Sequence, residues 1–356
     1  MTPEPSIISS IDYLTSRSIR GWCWDFSDEP AKVDFLVDGQ FIGSCVANEY
    51  RSDLQLQGIR GGHAAFRFEI PKSYANKDIK VFVGRNQLKF NDNSHGDPHI
   101  AWRHKRVKFI SDLIDLPNSR GIEFGPLHDP IIDPVEKGVI YIDHANTKDL
   151  KAKYNSDPNV DIREIVQVDF VYSGSKLSET INEIKSLDYV IASHVGEHIP
   201  DFISWMIECR TVLRSDGLLV LFLPDKRFCW DAMRPISRAS DMIKAHRKKL
   251  TRPNLKMIWQ AKTQAVSFGN KITWYTFSKP NPQDKFQPVK NTRDLVSSFL
   301  RYLIKREYLD VHCWVFTSET FQDLIDELGK QKLCDFEVEA VYGPEGNEFI
   351  AILRPR

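Results

Sequence analysis

The chain has no long apolar run: no window approaches the roughly 18 uncharged apolar residues that a membrane-spanning helix requires. Its start, Met1-Thr2-Pro3-Glu4-Pro5, lacks both a basic stretch and an apolar core, so no signal peptide is visible. Cysteine is sparse and scattered. Cys23, Cys45, Cys209, Cys229, Cys313 and Cys334 include no Cys-x-x-Cys pair. That argues against a disulfide framework or a zinc–thiolate site and fits a reducing cytoplasm. An excess of charge of one sign is also missing, because 48 basic residues meet 48 acidic ones. The apolar content of 42% is ordinary and excludes global disorder. At 356 residues the chain is too long for one typical domain, so two are expected.

Residues 1–95 hold short strand candidates and no long helical period. Trp22, Trp24 and Phe26 alternate with Cys23 and Asp25, and residues 33–37 run into Asp38-Gly39, a strong hairpin signal. Residues 66–70 and 79–83 alternate in the same way. The expectation is a small all-β sandwich. Trp22 and Trp24 share one face of their strand. Flat rings there could stack on sugar rings, or could fill the core of the sandwich. The polar stretch over residues 90–98 reads as the boundary to a second domain, residues 104–356.

In that second domain apolar segments alternate with helical ones. Strand candidates fall at residues 122–124, 139–142, 165–168, 189–192 and 218–223. Such alternation implies parallel strands joined by right-handed crossovers, hence an α/β fold with a doubly wound, mostly parallel sheet and antiparallel closing strands. The stretch Gly121-Ile122-Glu123-Phe124-Gly125-Pro126 and the later Tyr141-Ile142-Asp143-His144 organise the domain. A buried strand, a tight loop and a second strand ending in a carboxylate form a nucleotide-binding arrangement. Gly125 lets the backbone approach a ligand, and Asp143 stands where a carboxylate takes the two hydroxyls of a ribose.

These residues resemble the motifs of class I S-adenosylmethionine-dependent methyltransferases. Glu123-Phe124-Gly125-Pro126 is similar to the acidic-x-Gly first motif, and Asp143 to the acidic end of the second strand. Val168-Asp169-Phe170 is similar to the adenine-edge motif. Ser193-His194-Val195-Gly196-Glu197-His198 resembles the segment after the fourth strand. Val212-Leu213-Arg214-Ser215-Asp216-Gly217 resembles the signature before the fifth, and two closing strands are expected near residues 336–341 and 348–353. The resemblance covers most of residues 105–356 apart from an insertion. It departs from the family in one place, where the first motif has Gly125 as its single glycine. The resemblance implies S-adenosyl-L-methionine as cofactor, held by Glu123, Gly125, Pro126, Asp143, Asp169, Phe170 and Ser193. The N-terminal Gly21-Trp22-Cys23-Trp24-Asp25, Leu36-Val37-Asp38-Gly39 and Gly61-Gly62-His63-Ala64-Ala65-Phe66 segments resemble a β-rich module that accompanies bacterial glycosyltransferases and surface-glycan enzymes. That implies a glycan context.

His194, Glu197 and His198 have the spacing of the inverted zincin motif. That motif belongs on a long helix, whereas this segment follows a buried strand and precedes Pro200, so no metal is expected. His198 and His194 are instead candidate catalytic acid–base residues, able near neutral pH to take a proton from a hydroxyl acceptor. Local packing is the alternative for His198. Asp225 and Lys226 also reach the site by position. Over residues 234–310 the strand–helix rhythm breaks, and 17 Lys and Arg face 5 Asp and Glu. Trp259, Phe268, Trp274, Tyr275, Phe277 and Phe286 are interleaved there. The insertion reads as a solvated lid or as an acceptor site for an anionic substrate, with nucleic acid as the remote reading.

The expected activity is methyl transfer to an oxygen of a glycan or glycolipid-type acceptor in the cytoplasm. The alternatives are a non-catalytic glycan-binding or scaffold protein and a nicotinamide-dependent oxidoreductase. The last would need a Gly-x-Gly-x-x-Gly loop that this chain lacks.

Overall fold

Alternation of apolar and polar residues in the first hundred residues builds two antiparallel sheets. One runs β1 (Ile8–Leu14), β2 (Ser18–Trp24), β6 (His63–Glu69), β5 (Glu49–Tyr50). The other runs β4 (Gln40–Val46), β3 (Lys32–Val37), β7 (Ile79–Val83), β8 (Asn86–Leu88). The computed structural model describes the chain apart from residues 1–6, 15–16, 75–76, 90–97, 137, 158–159, 173–176, 178–180, 182–185, 269–285 and 290–291. Val33, Phe35 and Val37 of β3 point inward with Val81 and Val83 of β7, and they meet Ile11, Ile19, Cys23 and Phe66 of the first sheet in one core. Phe35 and Phe68 stack at 4.0 Å. Asp38 and Gly39 both take positive φ, 50° and 78°, so the β3–β4 turn has the backbone its sequence signals.

Trp22 and Trp24 do share a face, but it is the face away from the core between the sheets. On β2, Ile19 and Cys23 fill the core, whereas the tryptophans pack on Leu54, Ile59, Ala64 and Ala65. Leu54 comes from the short helix α1 (Ser52–Leu56), which covers that outer face. Helix α2 (Pro98–Leu113) follows, and most of the expected linker, residues 90–97, lies outside the described residues. The chain divides into two compact units, Met1–Leu113 with Ile131–Lys137, and Ile114–Pro130 with Gly138–Arg356.

The second unit is an α/β domain around a seven-stranded sheet. Its strands are β9 (Gly121–Phe124), β10 (Val139–Asp143), β11 (Phe170–Val171), β12 (Leu187–Ser193), β13 (Leu213–Pro224), β16 (Phe336–Glu345) and β17 (Glu348–Pro355), in the order β11-β10-β9-β12-β13-β17-β16. Neighbours are parallel except around β17, which runs antiparallel to both β13 and β16. The apolar runs are buried on both faces, as a doubly wound sheet requires: Val190, Ile191 and Ala192 of β12 and Leu219 to Leu223 of β13 are all 0% exposed. Helices α3 (Thr147–Lys153), α4 (Phe202–Val212) and α8 (Ser318–Lys330) connect the strands. Each starts on a side-chain cap, from Asn146, Asp201 and Thr317 respectively.

The third strand differs from expectation. Residues 165–168 make no ladder, because the Val166 amide donates to the Leu127 carbonyl and the Val168 amide to Thr147 Oγ1. Ile165 and Val168 are apolar because they form a side cluster with Leu150, and pairing with β10 begins at Phe170.

The insertion between β13 and α8 contains α5 (Ala239–Arg247), α6 (Leu255–Thr263), the small ladder of β14 (Val266–Phe268) and β15 (Phe286–Pro288), and α7 (Thr292–Ile304). Ala239, Met242, Ile243 and Ala245 pack into the main core, so α5 belongs to the domain body. Among the expected insertion aromatics, Trp274, Tyr275 and Phe277 lie outside the described residues. All six cysteines are free, and no described helix is long and apolar enough to cross a membrane.

Candidate functional site

The strand order reverses at β9, whose neighbours β10 and β12 lead the chain in opposite directions across the sheet. In open α/β sheets the crevice at the carboxyl ends of the strands flanking such a reversal receives the ligand. Glu123, Gly125, Pro126, Asp143 and Ser193 all fall there. The Gly125 amide donates to the Ile142 carbonyl at 2.8 Å, which fastens the turn after β9 to the end of β10 and sets Gly125 beside Asp143. Gly125 has φ of 64°, and a Cβ on it would lie 2.7 Å from Val195 Cγ2. A side chain there would strain the backbone and would have to displace Val195. Leu127 has φ of 43°, so the loop turns sharply away although it has no second glycine. Its side chain packs beside Leu150, Ile165 and Val168, which anchors the turn without further glycines.

Asp143 is 6% exposed. Its Oδ1 accepts from the His144 amide at 2.7 Å and stands 2.6 Å from His144 Nδ1. Glu123 is buried at 1% exposure within β9. Ser193 ends β12 opposite Phe222 of β13, and the next amide, of His194, donates to the Phe222 carbonyl. Phe170 is half-buried against the main core. Asp169 Oδ2 accepts from the Tyr141 amide at 2.8 Å, so this carboxylate closes the β10 edge just before β11.

Beside this crevice, after β12, the chain gathers a cluster of histidines and carboxylates. Glu197 is 0% exposed, and among the described residues neither of its carboxylate oxygens accepts a well-formed hydrogen bond. Three imidazoles face Oε1: His194 Nδ1 at 3.4 Å, His198 Nε2 at 3.8 Å and His312 Nε2 at 3.9 Å. The far nitrogen of each ring is held by another carboxylate. His194 Nε2 meets Glu348 Oε2 at 2.6 Å, His198 Nδ1 meets Asp310 Oδ1 at 2.7 Å, and His312 Nδ1 meets Asp231 Oδ2 at 2.5 Å. Asp231 also pairs with the buried Arg234 at 2.7 Å.

His312 is brought in from more than a hundred residues away by a zipper of bonds. The Cys313 and Trp314 amides donate to the Glu197 carbonyl, and Trp314 Nε1 donates to the Ile199 carbonyl. No local pattern around His312 announces this, and sequence reasoning also missed Asp231, Asp310 and Glu348. The Asp231 and Asp310 contacts depend on the return of residues 308–316, and the Glu348 contact on the pairing of β17 with β13.

Carboxylates set the electrostatics of His194 and His198. Burial disfavours a charged His194 ring, but the Glu197 and Glu348 carboxylates outweigh it and raise its pKa to about 9. Burial likewise opposes, and Asp310 and Glu197 overcome, the upward shift of His198. Asp310 falls to about 2, because His198 outweighs its burial. The carboxylates around both rings thus oppose the loss of a proton from either of them. Asp225 is fully buried and structural. It accepts from Arg227 Nε and Nη2 and from the Ser318 amide, which ties the β13 end to the start of α8. Lys226 is lowered by partial burial.

No family model matches the chain, and no curated protein matches it. Among solved structures, the fold is similar to S-adenosylmethionine-dependent methyltransferases from Clostridium acetobutylicum and Aquifex aeolicus. The first has 8% identity over 71% of this chain and 92% of that one, with a TM-score of 0.37. The second has 10% identity over 73% and 94%, with a TM-score of 0.36. A third, an S-adenosylmethionine-dependent methyltransferase from Mesorhizobium loti, has 12% identity over 73% and 98%, with a TM-score of 0.35. The fold class is defined by the strand order itself: a doubly wound α/β domain with one antiparallel strand next to the sheet edge.

Proposed function

We propose that the α/β domain binds S-adenosyl-L-methionine and transfers its methyl group to an oxygen of a glycan or glycolipid-type acceptor. The observation that carries this reading is the pairing of the side-chain-intolerant Gly125 turn with the buried Asp143 carboxylate at the point of strand reversal. Asp143 would take the ribose hydroxyls through charge-assisted bonds, and the Gly125–Pro126 backbone would admit the amino-acid end of the cofactor. Glu123, Ser193 and Phe170 would line its course. When bound, the cofactor would supply the sulfonium methyl: an acceptor oxygen would form the C–O bond as the C–S bond broke, the electron pair would leave with S-adenosylhomocysteine, and the hydroxyl proton would pass to solvent. The cofactor is already activated, so alignment is the chief task of the protein.

Two features support the acceptor class. The first unit carries an open surface hollow of about 470 Å³ lined by Trp24, Ser27, Asp28, Asn48, Arg60 and His63. The Trp24 ring lies 4.6 Å from that of the exposed Phe26. An aromatic face ringed by short polar groups suits a sugar. The basic excess of residues 234–310 favours an acceptor with negative charge. The test is incubation with methyl-labelled cofactor and a panel of neutral and acidic glycans. Label in an alkali-stable ether on a glycan is the expected result. Label confined to protein or nucleic acid, with none in any glycan, would refute the acceptor class.

A further inference from the structure

We infer that Glu197, His198 and His312 hold one divalent transition-metal ion. The donor atoms of these three residues lie within 4.8 Å of one another. Two of the separations are 3.8 and 3.9 Å, both measured to the single oxygen Glu197 Oε1. Metal–ligand bonds of about 2.0–2.2 Å place donors roughly 3–4 Å apart, so the two separations to Glu197 Oε1 already fall in the range that an ion needs.

Three further observations separate this cluster from an ordinary buried ion network. Glu197 is fully buried, and among the described residues its carboxylate oxygens accept no well-formed hydrogen bond, although a carboxylate taken out of water needs partners. The two histidine ligands each give the outer nitrogen, Nδ1, to a carboxylate, Asp310 and Asp231, so that Nε2 is the atom turned toward Glu197. Carboxylate–histidine pairs of this kind orient the rings of metal ligands. Finally, the His198 and His312 rings meet edge to face at 84° with centroids 4.6 Å apart, with both Nε2 atoms on the side of Glu197 Oε1.

Two imidazole nitrogens and one carboxylate oxygen suit zinc, manganese or iron in the divalent state and leave coordination positions open. The open side is toward His198, whose side chain is 29% exposed while that of His312 is 2% exposed. The use of the ion rests on the function proposed above: an acceptor hydroxyl entering an open position loses its proton to water more readily.

The chelator-stripped full-length protein is titrated with Mn²⁺, followed by the paramagnetic resonance signal of the free ion, and with Zn²⁺ against a chromophoric chelator. One ion per chain is expected. Glu197→Gln and His312→Gln weaken binding by at least about 100-fold, and Asp310→Asn, which acts through His198, by roughly 10- to 100-fold. Because Glu197 and His312 are buried, circular dichroism checks the fold of each variant, and His198→Gln at the exposed rim provides a milder test. Failure of both ions to bind below about 1 mM overturns the proposal, as does unchanged binding in a folded His198→Gln protein. S-adenosylhomocysteine titrated into the same samples separates the two readings. An ion bound without cofactor binding keeps the metal site and refutes methyl transfer. Cofactor bound without an ion does the reverse.

Discussion

At the scale of single residues, Gly125 and Asp231 show two ways in which one side chain constrains the site. Gly125 adopts a positive φ with Val195 directly over the missing Cβ. Gly125→Ala must strain the turn or displace Val195, at a cost of about 1–3 kcal/mol. A fall in thermal stability together with weaker cofactor binding is expected; an unchanged melting temperature would mean that the turn is free to relax. Asp231 answers both Arg234, which is 1% exposed, and His312. Asp231→Ala leaves a buried guanidinium without its counter-charge, so urea unfolding should show a loss of roughly 3–5 kcal/mol. Sign follows from the shift: Asp231 is held at about 2 by His312 and Arg234 against its burial. Its stabilisation is therefore complete above the ordinary Asp pKa and is lost as pH falls toward 2.

At the scale of elements, legibility depended on whether the information was local. Strands β9, β10, β12 and β13 read correctly because double-sided burial writes an unbroken apolar run into the sequence. Residues 165–168 carry the same signature for another reason, packing on Leu150 from a loop, and so the third strand was misplaced. Trp22 and Trp24 were legible as a pair sharing a face, but which face is core depends on where α1 lands, and that is tertiary information. In the cluster around Glu197, the His194-x-x-Glu197-His198 spacing was visible, whereas its completion by His312 needed the zipper of residues 313–314. The basic triplet Arg247, Lys248 and Lys249 closes α5 and is exposed. Its replacement by alanine should leave cofactor affinity unchanged, raise the KM for an anionic acceptor and flatten the dependence of rate on salt. Equal loss of cofactor binding, or unaltered turnover at low salt, would remove the insertion from acceptor recognition.

At the scale of the whole molecule, two cores of different character stand on one chain: an antiparallel β unit and a doubly wound α/β unit. The first has its own closed set of apolar contacts, so residues 1–95 expressed alone should melt in one cooperative β-type transition. A disordered, protease-sensitive product would show that this unit needs the rest of the chain. The second unit carries the central claim, that the crevice at the β9 reversal is a cofactor site built on Gly125 and Asp143. Titration calorimetry of S-adenosylhomocysteine into the full-length protein and into Asp143→Ala tests it most directly. One site per chain is expected, with affinity lost by roughly ten- to a hundredfold in the variant, the worth of about 1.5–3 kcal/mol for a charged hydrogen bond. No binding to the parent protein, or equal binding to Asp143→Ala, would contradict the claim.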